Sequence, residues 1–101
     1  MKNYINEMKK IMQILSSPAD EQMNYIEDMS VDELGLEFDD IYLMLQINNF
    51  KELKEKEKEI VNKLNNLFNK MSKNKFLWTK KSLNESLEWK EVRKLAKEFL
   101  L

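Results

Sequence analysis

The chain has 101 residues, with one Gly, one Pro, no Cys and no His, and a formal net charge of −1. That composition excludes a disulfide framework, a thiolate nucleophile and zinc–cysteine sites, and it removes the commonest general base and metal ligand. Turn residues this scarce leave no room for a β-sandwich or a doubly wound α/β domain. Abundant Lys, Glu and Leu instead predict one all-α domain over residues 1–101, a small helical bundle of four main helices plus one or two short ones around a central helix at 30–47.

Tyr4, Met8, Ile11 and Leu15 recur at i, i+4, i+7 and i+11, with Ile5 and Met12 beside them, so residues 3–15 are predicted as the first helix. Charges scattered through its start leave no apolar run for a signal peptide, and nothing approaches the roughly 20 apolar residues of a membrane span. A soluble, cytoplasmic protein is expected. Ser16-Ser17-Pro18 ends this helix. Pro18 suits the first turn of a second one, with Ser17 as its cap and Asp20 favouring the positive end of the helix dipole. That short helix is expected to reach about Asp28, with Met23 and Ile26 facing inward and Tyr25 a further candidate.

Ser30 opens the segment expected to organise the rest. Ser30-x-x-Glu33 has the form of a capping box. Val31, Leu34, Phe38, Ile41, Tyr42 and Leu45 make one apolar stripe, and Leu36, Leu43, Ile47 and Phe50 make a second, roughly opposite. Two stripes predict neighbours on both sides. Between them Glu33, Glu37 and Asp40 form an acidic strip, while Asp32 and Asp39 flank the second stripe. Gly35 costs up to about 1 kcal/mol against Ala in mid-helix and predicts a close helix crossing.

After Asn48-Asn49, with Asn49-x-x-Glu52 as another capping box, residues 50–71 read as one helix roughly 33 Å long. Phe50, Leu53, Ile60, Leu64, Leu67 and Met71 keep helical spacing, interrupted by Glu57. The run at 51–59 is charged nearly all round, with Glu52–Lys56 and Glu59–Lys63 as candidate pairs, and is expected to be solvated and projecting. Its alternating signs argue against nucleic-acid binding. Ser72 to Lys75 reads as a loop, and Phe76, Leu77 and Trp78 as a plug for one end of the core. Thr79 can cap a short helix through about Asn84, and Ser86 a last helix over 87–100. There Trp89, Val92, Ala96 and Phe99 face the core with Leu95 alongside, and Lys90, Arg93, Lys94 and Lys97 make the outer side basic.

Charge is divided along the chain. Residues 1–50 carry three Lys against ten acids, a net of −7, and residues 51–101 carry fourteen Lys or Arg against eight acids, a net of +6. Either the halves pack together and partly neutralise each other, or the acidic half presents a face to a basic partner.

Little here suits catalysis. Ser and Thr sit at helix starts, where capping accounts for them, and no Gly-rich loop exists to cradle a phosphate. Only the carboxylates offer chemistry. Glu37-x-x-Asp40 has the spacing by which two helix carboxylates bind Mg²⁺ or Mn²⁺, and it resembles half of the paired motif of all-helical nucleotide pyrophosphatases, whose other half is missing. A non-catalytic protein without cofactor is expected, with the metal-dependent nucleotide pyrophosphohydrolase as the alternative. Trp78 is a candidate anchor at an interface, since Trp is enriched there.

Two stretches carry a resemblance. Val31 to Asp40, VDELGLEFDD, resembles the V-D-E-L-A-L-E-F-D-D signature of a family of short bacterial proteins about this long. Leu77-Trp78-Thr79, Leu83 and Ser86-Leu87-Glu88-Trp89 resemble that family's second signature, L-W-T followed by S-P-E-W and a basic helix. The chain departs in having Gly35 for Ala and Leu87 for Pro. The family's members resemble small companions of bacterial toxins, which implies an immunity or antitoxin role. On that implication Asp32, Glu33, Glu37, Asp39 and Asp40, with Trp78, would dock a basic toxin domain by mimicking phosphate charge. A homodimer through Leu36, Leu43 and Ile47 is the other expected association; neither nucleic acid nor membrane is an expected partner.

Overall fold

The computed structural model describes residues 3–101. Among them are six α-helices: α1 Tyr4–Leu15, α2 Ala19–Ile26, α3 Asp32–Asn48, α4 Glu55–Met71, α5 Lys80–Glu85 and α6 Leu87–Leu100, with 3₁₀ turns at Phe50–Glu52 and Lys75–Trp78. Four are long and two short, and no strand occurs among the described residues. No helix is long and apolar enough to cross a membrane among them.

The long helices close a ring. α1 lies against both α3 and α6, and α4 lies against α6; α3 and α4 meet more lightly to complete the circuit. α3 meets α1 closely and α4 lightly, so the neighbours expected on both sides of 30–47 cover only one of its faces. The reason is visible in its two stripes. Val31, Leu34, Phe38, Tyr42 and Leu45 are buried, whereas Leu36, Leu43 and Ile47 are 54%, 57% and 69% exposed. The first stripe enters the core; of the second, Phe50 packs against the core while Leu36, Leu43 and Ile47 stay largely uncovered among the described residues.

One contiguous core runs through all the long helices, from Met8 and Leu15 to Leu64, Trp89 and Ala96. Trp89 is its largest wholly buried side chain, and its Nε1 donates to the Leu77 carbonyl at 2.7 Å. Phe68, which interrupts no expected pattern yet was not among the expected core positions, touches Phe38, Trp78 and Trp89 at ring-centroid distances of 5.2, 6.0 and 5.9 Å.

Two of the expected caps form. Thr79 Oγ1 accepts from Ser82 N and Ser86 Oγ from Trp89 N, so both caps start the helices expected of them. Elsewhere the backbone chooses differently. Ser17 Oγ donates back to Gln13 O and closes α1 instead of capping α2, whose first turn follows Pro18. Ser30 Oγ accepts from Asp32 N, two residues on, so the box with Glu33 does not form. The helix expected over 50–71 is broken. Leu53 and Lys54 are extended, Glu57 Oε1 accepts from Lys54 N, and α4 runs 17 residues, about 25 Å. Leu53 and Ile60 are buried at either side of the charged run, while most of the run itself is exposed, as expected of a solvated stretch. Asn49 takes no helix cap either: its Oδ1 accepts from Tyr4 N and its Nδ2 donates to Glu52, which is thus engaged away from Lys56.

Lys90, Lys94 and Lys97 are exposed on the outer side of α6 as expected, but Arg93 is not among them. It turns inward, donating to Gln22 Oε1 at 3.0 Å and the Leu83 carbonyl at 2.8 Å. Gln22, wholly buried, in turn donates to the Ile14 and Leu15 carbonyls at the end of α1. The Gln22 amide thus ties α2 to α1 and α6, and Arg93 extends the tie to α5. Burial without a carboxylate partner lowers the Arg93 pKa.

Candidate functional site

The exposed stripe of α3 has a defined cross-section. On a helix of 3.6 residues per turn, Leu36, Leu43 and Ile47 fall within about 40° of one another. Asp40, Glu33 and Glu37 lie on one side of that ridge and Asp32 and Asp39 on the other. No Lys or Arg occurs between Ser30 and Phe50 to break the pattern. The five acidic residues expected to act together are thus split into two rails with a greasy ridge between them.

Those rails are not neutralised from within. The ion pairs among the described residues are Glu7–Lys10, Glu55–Lys58 and Glu59–Lys63, each inside a single helix and none crossing from the acidic half to the basic one. Asp32, Asp39 and Asp40 are exposed, and Glu33 and Glu37 are half-buried. Glu37 has one internal partner: the Tyr25 hydroxyl donates to its two oxygens at 2.8 and 3.1 Å, bracing α2 against α3. Tyr25 is therefore on the surface, not inward. Its pKa is raised by partial burial first, then by the hydrogen bond to Glu37 and the nearby Glu37 and Glu33 charges. No group of three acidic side chains converges as a cation site among the described residues.

The second feature lies on the Asp32–Asp39 side. α3 and α4 run antiparallel, and their seam is closed at one end, where the Tyr42 hydroxyl donates to Asn62 Oδ1 at 2.6 Å and accepts from Gln46 Nε2 at 3.0 Å. Towards the start of α3 it opens into a groove of about 610 Å³. Phe38, Phe68 and Trp78 supply its aromatic lining; Asp32, Gly35, Leu36 and Asp39 form the α3 wall; Asn65, Asn69 and Ser72 form the α4 wall, with Lys75 beside them.

Trp78 shapes this groove. Its Nε1 donates to the Met71 carbonyl at 3.0 Å, and its ring meets Phe68 at 6.0 Å and Trp89 edge-on at 5.5 Å. A Cβ on Gly35 would lie 2.7 Å from Trp78 Cη2 and 2.9 Å from Cζ3. The close approach expected at Gly35 is real, but an indole makes it, where a second backbone was anticipated. The plug expected of residues 76–78 divides: Leu77 and Trp78 are half-buried, while Phe76 is 71% exposed with the Lys75 ammonium 5.9 Å from its ring centroid.

Of the expected site residues, Asp32, Asp39 and Trp78 are brought together around the groove, and Glu33, Glu37 and Asp40 stand across the ridge from them. The residues of the α4 wall are not among those the sequence pattern marked as a site. The asparagines at 62, 65, 66 and 69 carried a signal there, since amides at 3-and-4 spacing draw a polar line along one helix face. No family model, curated protein or solved structure matches the chain.

Proposed function

We propose that this chain is a non-catalytic protein-binding module that docks the outer face of α3 on a basic partner, in the manner of an immunity or antitoxin-type inhibitor. The observation that carries this is the exposed Leu36, Leu43 and Ile47 ridge, flanked on both sides by carboxylates that no lysine or arginine of the described residues neutralises. Fully burying one such side chain is worth about 1.5–3 kcal/mol, so three in line are a substantial apolar contact left for a second molecule. The rails do a different job. They steer a positively charged partner to the ridge, speed its encounter and penalise acidic competitors.

Charge also argues for a foreign partner over a second copy. Two α3 faces brought together would oppose five carboxylates with five, whereas a basic surface would pair with them.

Two double variants test the proposal. Glu33→Lys with Asp40→Lys reverses one rail without touching the Tyr25–Glu37 bond, and Leu43→Asn with Ile47→Asn removes the ridge. Both should keep the melting temperature and helical circular dichroism of the parent. Each should lose a partner captured by the parent chain and lose inhibition of that partner's activity. A partner retained by both variants, or one whose binding strengthens on charge reversal, would overturn the assignment.

A further inference from the structure

The groove beside the ridge says what the partner brings. We infer that it receives two arginine side chains of the partner, about 10 Å apart, which pair with Asp32 and Asp39 above the aromatic lining. This rests on the reading of α3 as the docking face.

Position comes first. Leu36 belongs to both the ridge and the groove wall, so a segment lying along the ridge on that side has the groove beneath it. Chemistry comes next. A groove lined by aromatic rings and walled by carboxylates favours a flat cation that tolerates partial desolvation. Guanidinium is planar and weakly hydrated, stacks on aromatic faces and forks onto carboxylate oxygens; ammonium is compact and strongly hydrated. Asn65 and Asn69 on the opposite wall offer amide oxygens to the N–H groups that a carboxylate leaves free. Lys75, the one cation of the lining, repels a guanidinium, and its ammonium lies 5.9 Å from the Phe76 ring centroid, so the arginines are placed on the α3 carboxylates.

Spacing completes the assignment. Asp32 and Asp39 are seven residues apart on one helix, about 10.5 Å along its axis. Residues i and i+3 of an extended segment in the polyproline-II conformation lie on one side about 9 Å apart, and i and i+7 of a helix lie on one face about 10.5 Å apart. The groove therefore reads an Arg-x-x-Arg pattern in an extended segment, or its two-turn equivalent in a helical one.

The test uses a probe, not the partner. Acetyl-Arg-Leu-Ala-Arg-amide is titrated into the ¹⁵N-labelled full chain, with its Lys and Glu counterparts as comparisons. Gly35 is the sole glycine and Trp78 one of two tryptophans, so their amide and indole signals are readily assigned. Both should shift saturably with the Arg peptide, less with the Lys peptide and not with the Glu peptide. Asp32→Asn with Asp39→Asn should weaken the Arg titration by about fivefold, since two partly exposed charge pairs are removed. Saturable shifts at Glu33, Glu37 and Asp40 with Gly35 and Trp78 unmoved would overturn the groove and leave the docking face standing. Equal affinity for Arg and Lys peptides would overturn the guanidinium assignment. Absence of any saturable shift would overturn the groove, while partner capture by the rail and ridge variants separately decides the docking face.

Discussion

Gly35 is the position at which one added carbon would be felt most. In an open helix Gly→Ala gains about 1 kcal/mol. Here the new methyl would meet the far edge of Trp78 at 2.7 Å, and that ring is held by its hydrogen bond to Met71 and by Phe68 and Trp89. Overpacking of this kind costs about 1–3 kcal/mol, which outweighs the propensity gain. Gly35→Ala is therefore expected to lower stability by about 1 kcal/mol and to change the fluorescence of Trp78. Combined with Trp78→Phe, which shortens the ring, the same change should become stabilising relative to Trp78→Phe alone. Denaturant unfolding of the four chains checks both signs. Spacing alone marked the glycine as an approach point. It could not name the indole, which lies 43 residues further along and reaches Gly35 only through the fold.

Elements were legible where a few neighbouring residues decide them and obscure where distant ones do. Thr79 and Ser86 cap as their local sequence says, because the bond closes within three residues. Ser30 and Ser17 look equally suitable, yet Ser30 bonds Asp32 N and Ser17 the Gln13 carbonyl, so competing partners only two and four residues away also decide which cap forms. The start of α4 was hidden by Leu53, whose burial needs an extended turn that continuous helical spacing does not reveal; Glu57, which broke the apolar spacing, was in fact marking the new cap. Gln22 was invisible for the same reason, since its value lies in α1 and α6. Gln22→Leu would leave the Leu15 carbonyl and the Arg93 guanidinium short of partners, and a loss of about 2–4 kcal/mol is expected in thermal or denaturant unfolding. The α2–α3 brace has a pH signature. Tyr25 has its pKa raised above the ordinary value near 10, so the folded chain keeps a proton that the unfolded chain loses. Its contribution is complete below pH 10 and falls as pH rises through the folded pKa. Tyr25→Phe should thus be less stable than the parent at pH 8, and the gap in urea midpoint should narrow above pH 10. A gap that stays constant to pH 11 would show that the phenol makes no such bond in solution.

At the scale of the molecule the question is how a nearly neutral chain can present a strongly acidic face. The answer lies in topology. The two halves carry −7 and +6, yet the ion pairs of the described residues stay within helices, and the one long-range bond made by a cation joins Arg93 to a neutral amide. The opposite charges are thus held apart on different helices, leaving α3 with an uncompensated local field. Such a field reaches about 10 Å at 0.1 M salt and about 3 Å at 1 M. This gives the two associations open to the α3 ridge opposite salt dependences. Self-association buries the ridge against a like-charged copy, so added salt should strengthen it. Docking on a basic partner gains from attraction across the same rails, so added salt should weaken it, chiefly by slowing the on-rate. Sedimentation of the isolated chain at 0.1 M NaCl is expected to show the mass of a single chain. Binding to a basic partner, or to the Arg peptide as its stand-in, should decline steadily between 0.05 and 0.5 M. If the chain instead sediments as a dimer at low salt, and Leu43→Asn with Ile47→Asn dissolves that dimer, then α3 is covered by another copy and the ridge is not left for a basic partner.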